Sequence, residues 1–174
     1  METVVTRFLS ERGIPYKLKR HSLPAYNCED AARERGVRVS QIVKCMVGMD
    51  IEGGLHVMLI PGDRVLKLKK VRSVAGGIKI DLVGREALAE DFDVVVGAIS
   101  PTQFFGNADF YIDHSVFLED DVDISSGDLT AGVELNALHL EALLGAMRCD
   151  IVSASGAPDH QRGHARRQVV GAYA

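Results

Sequence analysis

The pattern of apolar and polar residues predicts a series of short helices and strands. Apolar residues recur at helical spacing over 4–9, and Gly13 ends that run. Two apolar runs of strand length, 42–49 and 55–60, are joined by a turn-rich segment, which predicts an antiparallel hairpin. A third apolar run, 94–99, lies between polar and turn-forming residues and predicts a strand buried on both faces.

The other segments complete the predicted order of elements. Further helices are predicted after the capping residue Asn27 up to Gly36, over 63–71, over 85–90 and after Asn136. Further strands are predicted over 16–20, 78–82, 110–113, 130–135 and 147–152. Strands outnumber helices and most connections are short, so we predict an α+β domain over 1–152. Its sheet should be mixed and mainly antiparallel, or barrel-like, with flanking helices, followed by a peripheral basic tail over 153–174.

Composition supports a folded, soluble protein. Of the 174 residues, 47% are hydrophobic and 25% are charged, which is the balance of a globular domain. The length suits one such domain. The N-terminal residues lack the apolar core of a signal peptide, and no run approaches the length of a membrane span. We therefore expect a cytoplasmic protein with no membrane partner.

Cysteine and histidine spacing gives no sign of a metal or disulfide framework. Cys28, Cys45 and Cys149 are odd in number and far apart in the sequence, so we interpret them as reduced thiols. His160 and His164 have helical spacing but lack the surrounding residues of a zinc motif. We expect neither a metal nor another cofactor.

Charge argues against a protein that coats nucleic acid. The formal net charge is −4, whereas neutralisation of phosphates by Lys and Arg dominates non-specific affinity. A local contact with a nucleic acid is still compatible with the basic clusters, although solvated surface is the simpler interpretation of such runs. The clusters are Lys17, Lys19 and Arg20, then Lys67, Lys69, Lys70 and Arg72, then Arg162, Arg166 and Arg167.

Lys44 stands in the middle of the apolar run 42–49. On pattern alone, the commoner explanation is a strand whose Lys44 face meets solvent. The alternative is a functional lysine in an apolar pocket, where its ammonium would bind phosphate or a developing oxyanion.

The segment Gly97-Ala98-Ile99-Ser100-Pro101 also has two interpretations. It can be a simple strand end, because Ser-Pro initiates a turn. It can also be a pocket wall, in which glycine admits a ligand and backbone N–H groups form an oxyanion hole. His21 and Asp113 stand at predicted strand ends, where turn residues are commoner than catalysts, and no Gly-x-Ser-x-Gly elbow is present.

These segments together resemble a known family. In chain order they are His21, Asn27-Cys28-Glu29-Asp30-Ala31-Ala32, Gln41-Ile42-Val43-Lys44, Gly97-Ala98-Ile99-Ser100-Pro101, Ile112-Asp113 and Val133-Glu134-Leu135. Their order and spacing resemble those of the YbaK-type aminoacyl-tRNA editing domains over about 4–152. That family includes Cys-tRNA(Pro) and Ala-tRNA(Pro) deacylases and the editing domain inserted into bacterial prolyl-tRNA synthetases.

The resemblance implies an enzyme that hydrolyses the ester bond of a mischarged tRNA in trans. Lys44 matches the lysine that holds the 3′-terminal adenosine, and Gly97 and Ser100 complete the implied catalytic set. The implied substrate-binding residues are His21, Gln41, Ala98, Ile99, Pro101 and Asp113. The implied partners are the tRNA acceptor end and prolyl-tRNA synthetase.

Some positions depart from the family pattern and leave the amino-acid specificity open. Many relatives have glycine at the position of Asp93, threonine at Asn27, and an acidic residue near Gly132 or Val133. The alternatives are a non-catalytic tRNA- or nucleotide-binding regulatory module and a small-molecule binding protein, against which Lys44 favours the enzyme. Since no strong protein nucleophile is visible, attack assisted by the substrate's own ribose hydroxyl or thiol is the expected mechanism.

Overall fold

The computed structural model describes residues 1–154, which form two β-sheets with surrounding helices. The strands are β1 Lys17–Arg20, β2 Val43–Asp50, β3 Leu55–Pro61, β4 Ile80–Leu82, β5 Ala108–Asp113, β6 Asp121–Ser125, β7 Ala131–Asn136 and β8 Met147–Cys149. The α-helices are α1 Val4–Glu11, α2 Cys28–Arg35, α3 Leu68–Val74, α4 Arg85–Asp91 and α5 Ala137–Leu144.

Both sheets are open, and most strand pairs are antiparallel. The larger sheet has the order β4-β2-β3-β5-β8, in which β2 is antiparallel to β3 and β4, while β5 is parallel to β3 and β8. The smaller sheet has the order β1-β7-β6 and is antiparallel throughout. The predicted α+β class with a mixed, mainly antiparallel sheet is confirmed.

The predicted β2–β3 hairpin is present, and β3 is the central strand of the larger sheet. Lys44 pairs with Ile60, and the hairpin turn is closed by a hydrogen bond from the Asp50 N–H to the Gly54 carbonyl oxygen. Every residue of β3 is buried. Its alternate side chains enter two apolar clusters, with Val57 and Leu59 in one and Met58 and Ile60 in the other. The larger cluster also contains residues of α1, β6, β7 and α5, so the main core lies between the two sheets.

The predicted strand 94–99 is wrong, because this segment is an irregular loop. Val95 and Val96 are 46% and 39% exposed, so the apolar run does not mark a buried strand here. Gly97 has a φ of 87°, in the left-handed region that interrupts an extended strand. The Ala98 N–H donates to the Val95 carbonyl oxygen at 2.8 Å, which closes a tight turn.

Three further differences from the sequence-based prediction concern α3, β8 and β6. Helix α3 begins at Leu68 rather than near residue 63, because a turn in which the Arg64 N–H donates to the Pro61 carbonyl oxygen comes first. Strand β8 is shorter than predicted and is followed by an isolated bridge between Leu66 and Val152. Strand β6 was not predicted, since its sequence lies in an acidic run.

Helix α2 packs beside the start of β2 and so defines one side of the site described below. Ala31 and Ala32 of the helix form a small buried cluster with Ala25 and Ile42. No helix within residues 1–154 is long and apolar enough to cross a membrane. The predicted tail, with its arginines and histidines, lies outside the described residues from 155 onward.

Candidate functional site

A cavity of about 250 Å³ lies between the N-terminus of α2, the start of β2 and the loop 93–100. Its lining residues are Ala25, Tyr26, Asn27, Cys28, Glu29, Ala31, Arg35, Ile42, Val43, Lys44, Cys45, Gly62, Arg85, Gly97, Ile99 and Ser125. Three of the predicted site residues, Lys44, Gly97 and Ile99, are therefore brought together in its wall. They come from segments more than fifty positions apart in the sequence.

Lys44 is half-buried, and its side chain contributes to the cavity wall. Its Nζ donates a hydrogen bond of 2.9 Å to the carbonyl oxygen of Arg64, in the turn that follows β3. An ammonium has three N–H groups, so this bond orients the side chain and leaves donors for a ligand.

The loop that contains Gly97 offers backbone donors to a ligand. The Ala98 N–H donates to the Val95 carbonyl oxygen, and the Ser100 N–H donates to Gln103 Oε1 at 2.8 Å. The N–H groups of Gly97 and Ile99 have no acceptor among residues 1–154. Since both residues line the cavity, these two N–H groups are the donors of this loop that could stabilise an oxyanion.

Gly97 also fits tightly against its neighbours. A Cβ at this position would lie 3.1 Å from Leu129 Cδ2 and 3.5 Å from Tyr26 Cδ1. A side chain would therefore narrow the space beside Tyr26 as well as strain the backbone.

The N-terminus of α2 forms another wall and favours anions. Asn27 caps the helix, its side-chain oxygen accepting from the Asp30 N–H at 2.7 Å. Cys28 and Glu29, the first two helical residues, line the cavity. Their backbone N–H groups have no partner among residues 1–154, as is usual for the first turn of a helix.

The other predicted loop residues lie behind the cavity surface. Ala98, Ser100 and Pro101 are buried and are not part of the lining. The Ser100 hydroxyl lies 3.2 Å from Thr102 Oγ1, which places it inside the loop. These residues are placed to hold the loop in shape.

His21, Gln41 and Asp113 are likewise outside the lining. His21 Nδ1 lies 2.7 Å from the Leu23 carbonyl oxygen, so this ring nitrogen carries a proton and donates to it. The side chain of Gln41 accepts from the Arg38 N–H at 3.1 Å. Asp113 is 2% exposed, and its carboxylate accepts from the Ser115 and Ile151 N–H groups at the far end of β5.

Two cysteines line the cavity, but burial suppresses their nucleophilicity. Burial raises the pKa of Cys45 to about 12. Burial also raises the pKa of Cys28, although Lys44 opposes that shift. Both are therefore protonated thiols at neutral pH, whereas the thiolate is the nucleophile.

The cavity also contains charged residues that were not identified from the sequence. Arg35 forms an ion pair with Asp123, whose carboxylate Oδ1 lies 2.6 Å from Arg35 Nη1. Arg85 lies at the exposed side. Because Asp123 balances the charge of Arg35, the uncompensated basic side chains of the lining are Lys44 and Arg85, against one acidic side chain, Glu29. The walls therefore favour a ligand that carries negative charge or hydrogen-bond acceptors.

The fold and this cavity define a class of protein: an α+β domain with a small cavity between a helix N-terminus, a lysine and a glycine-containing loop. The chain belongs to the aminoacyl-tRNA editing domain family, whose model matches residues 23–145. The predicted family is thus confirmed.

Curated relatives and solved structures agree with this assignment. The chain is 30% identical over 81 residues to the proline--tRNA ligase of Thermosipho melanesiensis, covering 47% of this chain and 14% of the ligase. It is 26% identical over 102 residues to the "Putative Cys-tRNA(Pro)/Cys-tRNA(Cys) deacylase EbsC" of Enterococcus faecalis, covering 58% of this chain and 62% of that protein. It thus spans less than two thirds of either relative.

Among solved structures, a "putative trans-editing enzyme for prolyl tRNA synthetase" is similar with a TM-score of 0.77 and 25% identity, covering 86% of this chain and 94% of that one. A protein described only as hypothetical gives a TM-score of 0.79 with 26% identity, covering 86% and 99%. These relatives connect the family to editing in the context of prolyl-tRNA, and they do not favour the alternative of a non-catalytic module.

Proposed function

We propose that this chain is an aminoacyl-tRNA deacylase that acts in trans on a small amino acid, cysteine or alanine, wrongly attached to tRNA(Pro). The family assignment and the names of the relatives support the reaction and the tRNA. The acceptor end of the tRNA is the proposed ligand, and prolyl-tRNA synthetase is the proposed second partner.

The observation that carries this proposal is that three groups of hydrogen-bond donors belong to residues that line one cavity. Lys44, the first two residues of α2, and Gly97 and Ile99 all line it, and the backbone N–H groups of the last four residues have no acceptor among residues 1–154. Cation and amide donors suit the phosphate of a terminal nucleotide and the carbonyl oxygen of an ester.

In the proposed reaction, water adds to the ester carbonyl and the carbonyl oxygen becomes an oxyanion. The Gly97 and Ile99 N–H groups would stabilise that oxyanion. The bond between the carbonyl carbon and the ribose oxygen then breaks, and the ribose oxygen takes the proton that the attacking water gives up. The products are the free amino acid and a tRNA with its terminal hydroxyl restored.

The lining supplies no strong nucleophile, so the substrate itself is proposed to assist. Cys28 and Cys45 are protonated, and Ser100 is buried behind the loop. The neighbouring ribose hydroxyl, or the thiol of a cysteinyl group, would orient and activate the water. The protein would then contribute mainly positioning and electrostatic stabilisation.

Deacylation measured against a panel of mischarged tRNAs tests the proposal. The panel should contain tRNA(Pro) charged with cysteine, alanine, serine or proline, and one correctly charged tRNA of another amino acid as a control. We expect turnover of a small non-cognate amino acid on tRNA(Pro) and none of proline. Tight binding of tRNA without turnover of any member would support a regulatory module instead.

A further inference from the structure

The Arg35–Asp123 ion pair lies at the buried side of the cavity. The two side chains are 5% and 1% exposed, and they join the end of α2 to β6. Arg35 nevertheless belongs to the cavity lining. Arg35 is thus a nearly buried charged residue of the cavity wall.

Arg35 donates hydrogen bonds to three partners, which do not use all of its N–H groups. Besides Asp123, its Nη2 donates to the Ala131 carbonyl oxygen at 3.2 Å, and its Nε donates to His21 Nε2 at 3.4 Å. A guanidinium has five N–H groups, so two of them are not used by these three partners.

Gly132 provides the room for this arrangement. A Cβ on Gly132 would lie 2.5 Å from the guanidinium carbon of Arg35 and from two of its nitrogens. The φ of Gly132 is not positive, so the backbone conformation does not require glycine. The space taken by the Arg35 guanidinium is therefore the reason for glycine at this position.

Stability alone gives no reason for this pair. Asp123 Oδ2 is buried without a hydrogen-bond partner among residues 1–154. Burial raises the pKa of Asp123, and Arg35 opposes that shift. Since a well-packed apolar pair is often as stable as a buried ion pair, a role in recognition would account for the charges.

The exposure of the lining indicates which part of the substrate reaches Arg35. Tyr26, Glu29 and Arg85 are exposed and mark the mouth, whereas Ala31 and Ile42, like Arg35, lie at the buried side. A tRNA is too large to enter, so its terminal nucleotide must occupy the mouth. The aminoacyl group would then extend toward Arg35.

We infer that Arg35 donates a hydrogen bond to the side chain of the bound amino acid, so that the site prefers a small thiol or hydroxyl side chain to that of alanine. This inference rests on the proposed deacylase function. Asp123 balances the charge of Arg35, so the pair suits an uncharged acceptor better than a phosphate. Arg35 is thus proposed as a specificity residue, with Asp123 and Gly132 as the residues that position it.

The test replaces the pair as a unit, because Arg35→Met alone would leave Asp123 unpaired and destabilise the fold. In the double variant Arg35→Met/Asp123→Leu, both charges are removed. We expect wild type to hydrolyse Cys-tRNA(Pro) and Ser-tRNA(Pro) in preference to Ala-tRNA(Pro). The double variant should lose about tenfold or more of kcat/KM for the polar substrates and keep its rate for alanine.

Two further variants keep the test decisive. Arg33→Met removes an exposed arginine of the same helix and should leave the substrate preference unchanged. Gly132→Ala pushes the guanidinium away without removing it, so it should reduce the preference even if the double variant fails to fold. Unchanged preference in both the double variant and Gly132→Ala, or equal loss for all three substrates, would overturn the inference.

Binding separates failure of this inference from failure of the proposed function. Non-hydrolysable cysteinyl and alanyl amides of 3′-aminoadenosine can be titrated calorimetrically into each variant. If wild type hydrolyses no tRNA, the deacylase proposal fails. Tighter binding of the cysteinyl amide that is lost in the double variant would still support the role of Arg35, and equal binding of both amides to wild type would refute it.

Discussion

The Nζ atom of Lys44 donates a hydrogen bond to the carbonyl oxygen of Arg64 at 2.9 Å. This bond links the second residue of β2 to the turn after β3, the strand with which β2 pairs. The ammonium is consequently fixed in the cavity wall by a backbone group, whose position changes little between side-chain variants. This fixed position makes Lys44 a suitable donor to a substrate phosphate or carbonyl.

We predict that Lys44→Ala reduces deacylation by about 100-fold, because it removes the cation that would contact the substrate. The melting temperature should change little, since the side chain is half-buried and its removal opens no core cavity. Lys17→Ala, at an exposed position of β1, is the matched control and should leave both quantities unchanged. A parallel loss of activity and melting temperature in Lys44→Ala would indicate a structural lysine.

We predict that Gly97→Ala weakens binding of an aminoacyl-adenosine amide more than it lowers stability. The new methyl group would lie 3.1 Å from Leu129 Cδ2 and 3.5 Å from Tyr26 Cδ1 at the cavity. Binding can be measured by calorimetry and stability by urea denaturation.

Gly106→Ala is the control that separates backbone strain from lost space. Gly106 also has a positive φ, 80°, but a Cβ there would have no neighbour within 4 Å. Both variants should lose about 1 kcal/mol of stability through backbone strain, and Gly97→Ala should lose somewhat more because its Cβ also contacts Leu129. Equal amide affinity in the two variants would exclude Gly97 from the binding site.

How much of this molecule could be predicted depends on the separation of the interacting residues. The β2–β3 hairpin is a local pattern, so its two apolar runs and the turn between them suffice to predict it. The loop 93–100 carries apolar residues without a sheet partner, and neither periodicity nor composition distinguishes it from a strand. The Arg35–Asp123 pair joins residues 88 positions apart in the sequence. Asp123 lies in β6, a strand that was not predicted because its sequence is acidic.

A separate prediction concerns acid stability. His56 is buried, and its Nε2 lies 2.8 Å from Asp50 Oδ2, while its Nδ1 lies 3.2 Å from the Tyr111 hydroxyl. The hydrogen bond from His56, with others from Gly54 and Glu52 N–H groups, lowers the pKa of Asp50. A lowered carboxyl pKa stabilises the fold above the unfolded-state value of about 3.9, and that stabilisation is lost as pH falls through the folded-state pKa.

Asp50→Asn should therefore lose less stability than wild type when the pH is lowered from about 6 to about 3. Urea denaturation at several pH values measures this difference. Glu90→Gln removes an exposed carboxylate and serves as the control. The stability of this variant should depend on pH as that of wild type does. An Asp50→Asn variant whose pH dependence equals that of wild type would show that this hydrogen-bonded carboxylate does not contribute to acid denaturation.

The last prediction concerns which lysines of α3 and its cap contact tRNA. Lys70 already has protein partners, since its Nζ forms an ion pair with Asp150 and donates a hydrogen bond to the Val152 carbonyl oxygen at 2.8 Å. Lys69 is exposed and has no carboxylate partner within residues 1–154. If Lys69 contacts a phosphate, Lys69→Gln should reduce the slope of log affinity against log salt by about one, whereas Lys70→Gln should mainly lower stability.

Truncation after Ser153 tests the tail separately. Unchanged slopes in Lys69→Gln and in the truncated chain would identify both as solvated surface.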